Sequence, residues 1–394
     1  MTIVRIAGAA ALAVVAAALL SAFGPRAQFT ADGYDYAIVM LMDRGLPYAQ
    51  AQARAERFYA GQPVAKVPDV ARWLHGKPEY WNLFSVRPLY PWIASRLYPL
   101  AGFNSLIVVS RASYAIVAAL TFLLALRFAP LSLSFLLAIG ISLFPPWRDI
   151  ARDSLTDPLA IALMAGALYA GAWVMARRTI WNVGAFAILC GLLSMARPIP
   201  YILLGAGIVA GLAAPRTGDR SRLTSAVWIT AIAAIWTTVL EVALSHAHAP
   251  SFRWIVQDTY AHFVARGYAP PGESLRAFFV HEELTIGLHM LVKGLITVVP
   301  VLAIVGMVIH RRDAAAPLLM GACAATWLGA LVDPDRFDIV RCVIMPVAPA
   351  VAAFAAGTLA TLWNRVPVLL GPQALLLRHY LPRRFALRNT TVKE

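Results

Sequence analysis

Apolar runs of roughly 20 residues, separated by short polar turns, repeat along most of the chain. At 1.5 Å per residue, such a run makes a helix that covers the ~30 Å hydrocarbon core of a bilayer. Ten runs fit: residues 4–23, 105–127, 131–146, 155–176, 180–196, 198–214, 224–244, 290–309, 314–332 and 341–363. The third is short and ends in Pro145-Pro146, which predicts a broken or tilted helix. Two polar stretches interrupt the rhythm, 25–104 and 245–289. Inside the first, residues 36–59 hold few breakers besides Gly45 and Pro47, and the apolar run 37–42 predicts a helix lying at the membrane interface. Pro88, Pro91 and Pro99 punctuate the return to the second run. The expected fold is therefore all-α: a polytopic transmembrane bundle of about ten spans over residues 1–364, with juxtamembrane helices in a large extracytoplasmic first loop.

Composition fixes the class. Of 394 residues, 60% are hydrophobic and 14% charged, and the mean hydropathy is +0.68. A soluble domain carries about 25% charged residues. The net charge of +14 suggests nucleic acid at first sight, but its placement argues against that partner. With the N-terminus inside, Arg177, Arg178, Arg216, Arg220, Arg222, Arg311, Arg312 and the tail cations Arg365, Arg378, Arg383, Arg384 and Arg388 all fall on the cytoplasmic side, as the positive-inside rule requires. The stretches 25–104 and 245–289 then face outside, and both termini face the cytoplasm. The first run is longer than the 7–15 residues of a signal-peptide core, so it reads as an uncleaved anchor. Residues 365–394 form a basic, aromatic tail suited to the anionic inner leaflet. Cys190, Cys323 and Cys342 all lie inside runs and show no metal spacing, which suits small buried residues.

Charged side chains at membrane depth are costly and mark paired or functional positions. Arg111, Arg197, Glu241, Lys293 and Arg341 each sit near the outer end of a run, while the inner halves are almost free of charge. Snorkelling would populate both faces. The first loop adds Asp32, Asp35 and Arg87, with Tyr34, Tyr36, Tyr59, Trp73, Tyr80, Trp81, Tyr90 and Trp92 among them. The next outer turn holds Arg148, Asp153 and Asp157; Asp153 is placed to cap the following helix, and Asp157 falls in its first turn, where unpaired N–H groups favour a carboxylate. His281 and Glu282 form the nearest approach to a metal constellation in 245–289, without a zinc spacing. Arg336 and Arg341 flank the last outer turn.

Outward arginines, carboxylates and aromatics suit one kind of substrate. Arginine binds phosphate bidentately. A carboxylate takes a proton from an attacking hydroxyl. Tyrosine and tryptophan stack on sugar rings and anchor at headgroup level. A molecule with a lipid tail, a phosphate and a sugar uses all three.

The layout also resembles a known group. The first span, the loop opening Asp32-Gly33-Tyr34-Asp35-Tyr36, the return Arg87-Pro88-Leu89-Tyr90-Pro91, the segment Asp153-Ser154-Leu155-Thr156-Asp157-Pro158 and the exit Ser194-Met195-Ala196-Arg197-Pro198 look like the GT-C superfamily. Its members are integral-membrane glycosyltransferases that use polyprenyl-phosphate donors, with protein O-mannosyltransferases and the lipid A aminoarabinose transferase as relatives. The likeness covers roughly residues 4–214. It implies a polyprenyl-phosphate-linked sugar as donor and a glycan, lipid or protein as acceptor, within a cell membrane. It also implies a catalytic carboxylate at Asp32, with Asp35 as the alternative because Gly33 and Tyr34 separate an acidic pair that many relatives carry adjacent. Asp153 or Asp157 then becomes the second-loop acid, and Arg197, Arg336 or Arg341 the phosphate clamp. No metal is required, and the family precedent on a divalent cation is mixed. Two other classes stay open: a transporter or lipid-linked saccharide flippase, and a non-enzymatic scaffold for envelope assembly.

Overall fold

The structure is a computed structural model that describes residues 2–23, 29–62, 84, 86–143, 145–197, 199–249, 260, 264, 272, 274, 277, 295–330 and 345–369. It is helical, with no β-strand among the described residues. The helices are α1 (Thr2–Phe23), α2 (Ala31–Met42), α3 (Tyr48–Ala60), α4 (Leu89–Ala101), α5 (Asn104–Ala125), α6 (Leu131–Leu143) and α7 (Pro145–Arg152). They continue with α8 (Asp157–Ala176), α9 (Ile180–Ala196), α10 (Tyr201–Ala213), α11 (Arg220–His246), α12 (Leu295–Ile309), α13 (Ala316–Ala330) and α14 (Met345–Leu369).

A helix underlies each of the ten apolar runs, and successive ones run in opposite directions. At one end Arg127, just past α5, meets Asp313 between α12 and α13. At the other, Thr156 before α8 donates to the carbonyl of Ala196 at the end of α9. Among the described residues four helices, α5, α8, α11 and α14, are long and apolar enough to cross a membrane. With 13 residues each, α6 and α10 reach only about 20 Å. The third run is shorter than its expected 131–146: α6 stops at Leu143, and Pro145 opens the separate helix α7.

Position in the bundle follows from each helix's surface. α8 is apolar around its whole circumference and lies in the centre, against α5, α9 and α14. α11 buries little and turns Val227, Ile235 and Val239 outward. Val14, Ile188, Leu212 and Val308 are likewise exposed on other helices, a greasy exterior that suits lipid and not water. Close packing inside uses small residues, as membrane helices do. A Cβ at Gly205 would come within 2.5 Å of Ala325 on α13, and one at Gly207 within 2.9 Å of the Thr230 backbone on α11.

The first loop departs from its expected form. The run 37–42 does lie in a helix, but that helix is no surface element: Gly33 to Leu41 are all buried, and α2 packs on α3, α4 and α5. Gly45, at φ +89°, and Pro47 end it as expected. The prolines of the return do not break the chain, because Pro91 and Pro99 both lie within α4. Pro91 sits in the first turn, where an N–H would be orphaned anyway. Pro99 removes the bond to the Ser95 carbonyl, which accepts instead from Arg44 Nη1 at 3.1 Å. α2 is thereby tied to α4.

Candidate functional site

Asp32, Asp35, Asp153 and Asp157 lie at the end opposite the basic turns, and local sequence explains how. Thr30 caps α2: its hydroxyl accepts from Gly33 N at 3.1 Å, and its own N–H donates to Ser154 Oγ at 3.1 Å. A Cβ at Gly33 would fall inside the Ser154 side chain and 2.9 Å from the Tyr59 hydroxyl, so only glycine lets α2 dock this closely on the 153–156 turn. Asp32, half-buried, sits in the first turn of α2, where the helix dipole favours an anion. Asp35 follows one turn later on the same face and is only 4% exposed. Burial first, and the Asp32 charge second, hold its carboxyl well above the usual carboxylate range.

Tyr36 joins three charged groups. Its ring is buried edge-on between Phe84 and Tyr90, each 5.1 Å away. Arg87, Asp32 and Arg197 all lie within electrostatic reach of its hydroxyl. Burial raises this hydroxyl's pKa, the two arginines oppose that, and Asp32 adds to it. Asp32, Arg87 and Arg197, drawn from three separate segments, thus all act on one buried hydroxyl. Beside them Tyr34 donates to Glu56 at 3.2 Å and Gln52 to the same oxygen at 3.0 Å, fastening α3 to α2.

The 153–157 segment splits into two roles. Asp153 does not cap α8; Thr156 occupies that position without a side-chain cap bond, and Asp153 instead pairs with Arg152 Nε at 3.3 Å. Asp153 stands three positions before the N-cap, Thr156, too far back to reach the free N–H groups. Asp157, on the first turn of α8, forms a buried ion pair with Arg197, the residue that ends α9. Pro198 forces Arg197 into an extended conformation, which turns it off the helix toward α8. Each partner also sits at the helix end whose dipole suits its charge.

Arg148, on α7, lies next to the buried Trp147, whose ring faces Tyr114 at 5.7 Å. The Nε atoms of Arg87, Arg111 and Arg148 are buried without a hydrogen-bond partner among the described residues. Such donors suit an anion.

Several sequence expectations change here. Tyr34, Tyr36, Tyr59 and Tyr90 do not present faces for a sugar; they are core residues that pack on one another. Trp92 and Tyr48 are the exposed aromatics of the described first loop. Trp73, Tyr80, Trp81, His281, Glu282, Lys293, Arg336, Arg341 and Cys342 lie outside the described residues. Cys190 and Cys323 are buried thiols. Among the described residues no cluster of three His, Cys, Asp or Glu side chains could hold a metal. Sequence reading missed Thr30, Ser154 and the junction at Tyr36. The last has a signal, since Asp32 and Tyr36 stand four residues apart at the start of a helix. No protein-family model matches the chain, and no curated protein matches it either.

Proposed function

We propose that this membrane protein is a glycosyltransferase that moves a sugar from a polyprenyl-phosphate donor to an acceptor hydroxyl, at an extracytoplasmic site built on α2. The observation that carries the reading is a half-exposed carboxylate, Asp32, in the first turn of α2, at the end remote from the basic turns and within electrostatic reach of the same buried Tyr36 hydroxyl as Arg87. On this reading all ten apolar helices cross the bilayer, the short ones through locally thinned lipid or with polar flanks.

Asp32 takes the proton of the acceptor hydroxyl. The acceptor oxygen attacks the anomeric carbon, the bond from that carbon to the phosphate oxygen breaks, and the polyprenyl phosphate departs with inverted sugar configuration. Asp35 is buried, so an acceptor hydroxyl reaches the half-exposed Asp32 first. Arg197 is committed to Asp157, so the charge growing on the leaving phosphate falls to Arg87 and Arg148, whose Nε groups have no protein acceptor among the described residues. Fixed cationic donors of this kind usually supply the largest catalytic effect.

Transfer from a radiolabelled polyprenyl-phosphate sugar, measured with wild type and Asp32→Asn, tests this. Loss of a general base lowers the rate by about 10²–10⁴-fold. Undiminished transfer by the variant removes Asp32 from the mechanism. Counterflow in proteoliposomes without a covalent product replaces the enzyme with a transporter.

A further inference from the structure

A cavity of about 190 Å³ opens at the basic end of the bundle, far from the carboxylates. It is lined by Arg5 of α1, by Leu123, Leu126 and Arg127 where α5 ends, and by Tyr169 and Trp173 on the last turns of α8. One ordered water needs roughly 10–15 Å³, and a drug-sized ligand pocket runs to about 300–1,000 Å³. The space thus fits a small polar group. We propose that it binds the phosphate of an anionic phospholipid headgroup.

Charge supports a monoanion. Arg127 Nε donates to Asp313 at 2.7 Å, and Asp313 is further fixed by the Ala315 N–H at 2.8 Å. Arg5 has no hydrogen-bond or ion-pair partner among the described residues, and Arg127 has none beyond Asp313. Two guanidiniums against one carboxylate leave a single positive charge, which a phosphodiester neutralises. Arginine also offers several planar donors that match phosphate oxygens.

The surroundings point to a lipid source. Val4 and Ile6, on either side of Arg5, are 58% and 63% exposed, so α1 meets hydrocarbon at this level. Trp173 is 36% exposed, and Arg177 and Arg178 follow at the end of α8. An aromatic next to cations at a helix end is the arrangement found at headgroup depth. Aliphatic Leu123 and Leu126 complete the wall where a glycerol backbone would rest.

The test is native mass spectrometry of the full chain in detergent, titrated separately with dioleoylphosphatidylglycerol, dioleoylphosphatidylcholine and inorganic phosphate. Wild type should take up one phosphatidylglycerol well below the concentration at which phosphatidylcholine binds. Arg5→Gln should weaken that binding about tenfold, as loss of one charge-assisted hydrogen bond does. Arg220→Gln, which removes an equal charge at the same end but outside the cavity, should leave it unchanged. Equal uptake of the two lipids by wild type overturns the proposal, as does equal weakening by the two variants. Saturation by inorganic phosphate alone assigns the cavity to a free anion and also overturns it.

Discussion

Replacing Arg197 by methionine probes how the carboxylate end is held. The Arg197 and Asp157 side chains are 9% and 2% exposed, so the substitution strips a buried carboxylate of its guanidinium. Breaking a buried pair by removing one partner costs about 3–5 kcal/mol. Asp157 stays at the first turn of α8, whose dipole offsets about 1 kcal/mol of that. A net loss of about 2–4 kcal/mol follows. With 394 residues at ~2.1 cal/mol/K each, the unfolding entropy is about 0.8 kcal/mol/K, and Tm falls by about 2–5 °C. Tryptophan-fluorescence melts in detergent measure this for Arg197→Met, Asp157→Leu and the double variant. The double variant should return to within about 1 kcal/mol of wild type, because apolar replacement of a whole buried pair is often neutral. Losses that simply add, with coupling below about 0.5 kcal/mol, would refute the pairing.

Three further outcomes follow from the same geometry. Asp35 binds its proton more tightly folded than unfolded, so its contribution to stability falls as pH rises above the unfolded carboxylate pKa of ~3.9 and levels off past the folded value; Tm against pH should therefore be flatter for Asp35→Asn than for wild type, and parallel curves would contradict this. Gly33→Ala drives a methyl into Ser154 and should lower stability by about 1–3 kcal/mol, with part of the loss recovered in Gly33→Ala/Ser154→Gly; no recovery in the same melts removes that contact as the cause. Arg87→Gln should raise the donor KM at least about tenfold in the transfer assay, and an unchanged KM frees Arg87 from the phosphate role.

Much of the bundle is legible in the chain because hydrophobic length alone sets helices such as α5 and α8. Directions follow too, since short turns force neighbours to alternate. Depth is less legible. The run 37–42 marks a helix, but nothing local distinguishes a helix lying on lipid from one buried under α3 and α4; the decision lies in contacts such as Gly33 on Ser154, across 121 positions of sequence. Asp157 and Arg197 each stand out alone as costly charges near an outer end. Their pairing needs the α8–α9 hairpin, which brings the start of one helix beside the end of the other. Asp153 shows the limit of spacing rules: it precedes a helix and carries a capping side chain, yet the helix begins a turn later and Arg152 takes the carboxylate. Composition does not separate exposed aromatics from core ones: tyrosines at 34, 36, 59 and 90 serve the core, while Trp92 is exposed.

Everything functional depends on which side of the membrane the carboxylate end faces. Gln50, exposed on α3, and Ser221, exposed at the basic end on α11, mark the two sides, and each takes a cysteine without disturbing a buried contact. In intact cells a membrane-impermeant maleimide should label Gln50→Cys at once and Ser221→Cys only after permeabilisation. The reverse pattern places Asp32 and Arg87 in the cytosol and contradicts the account.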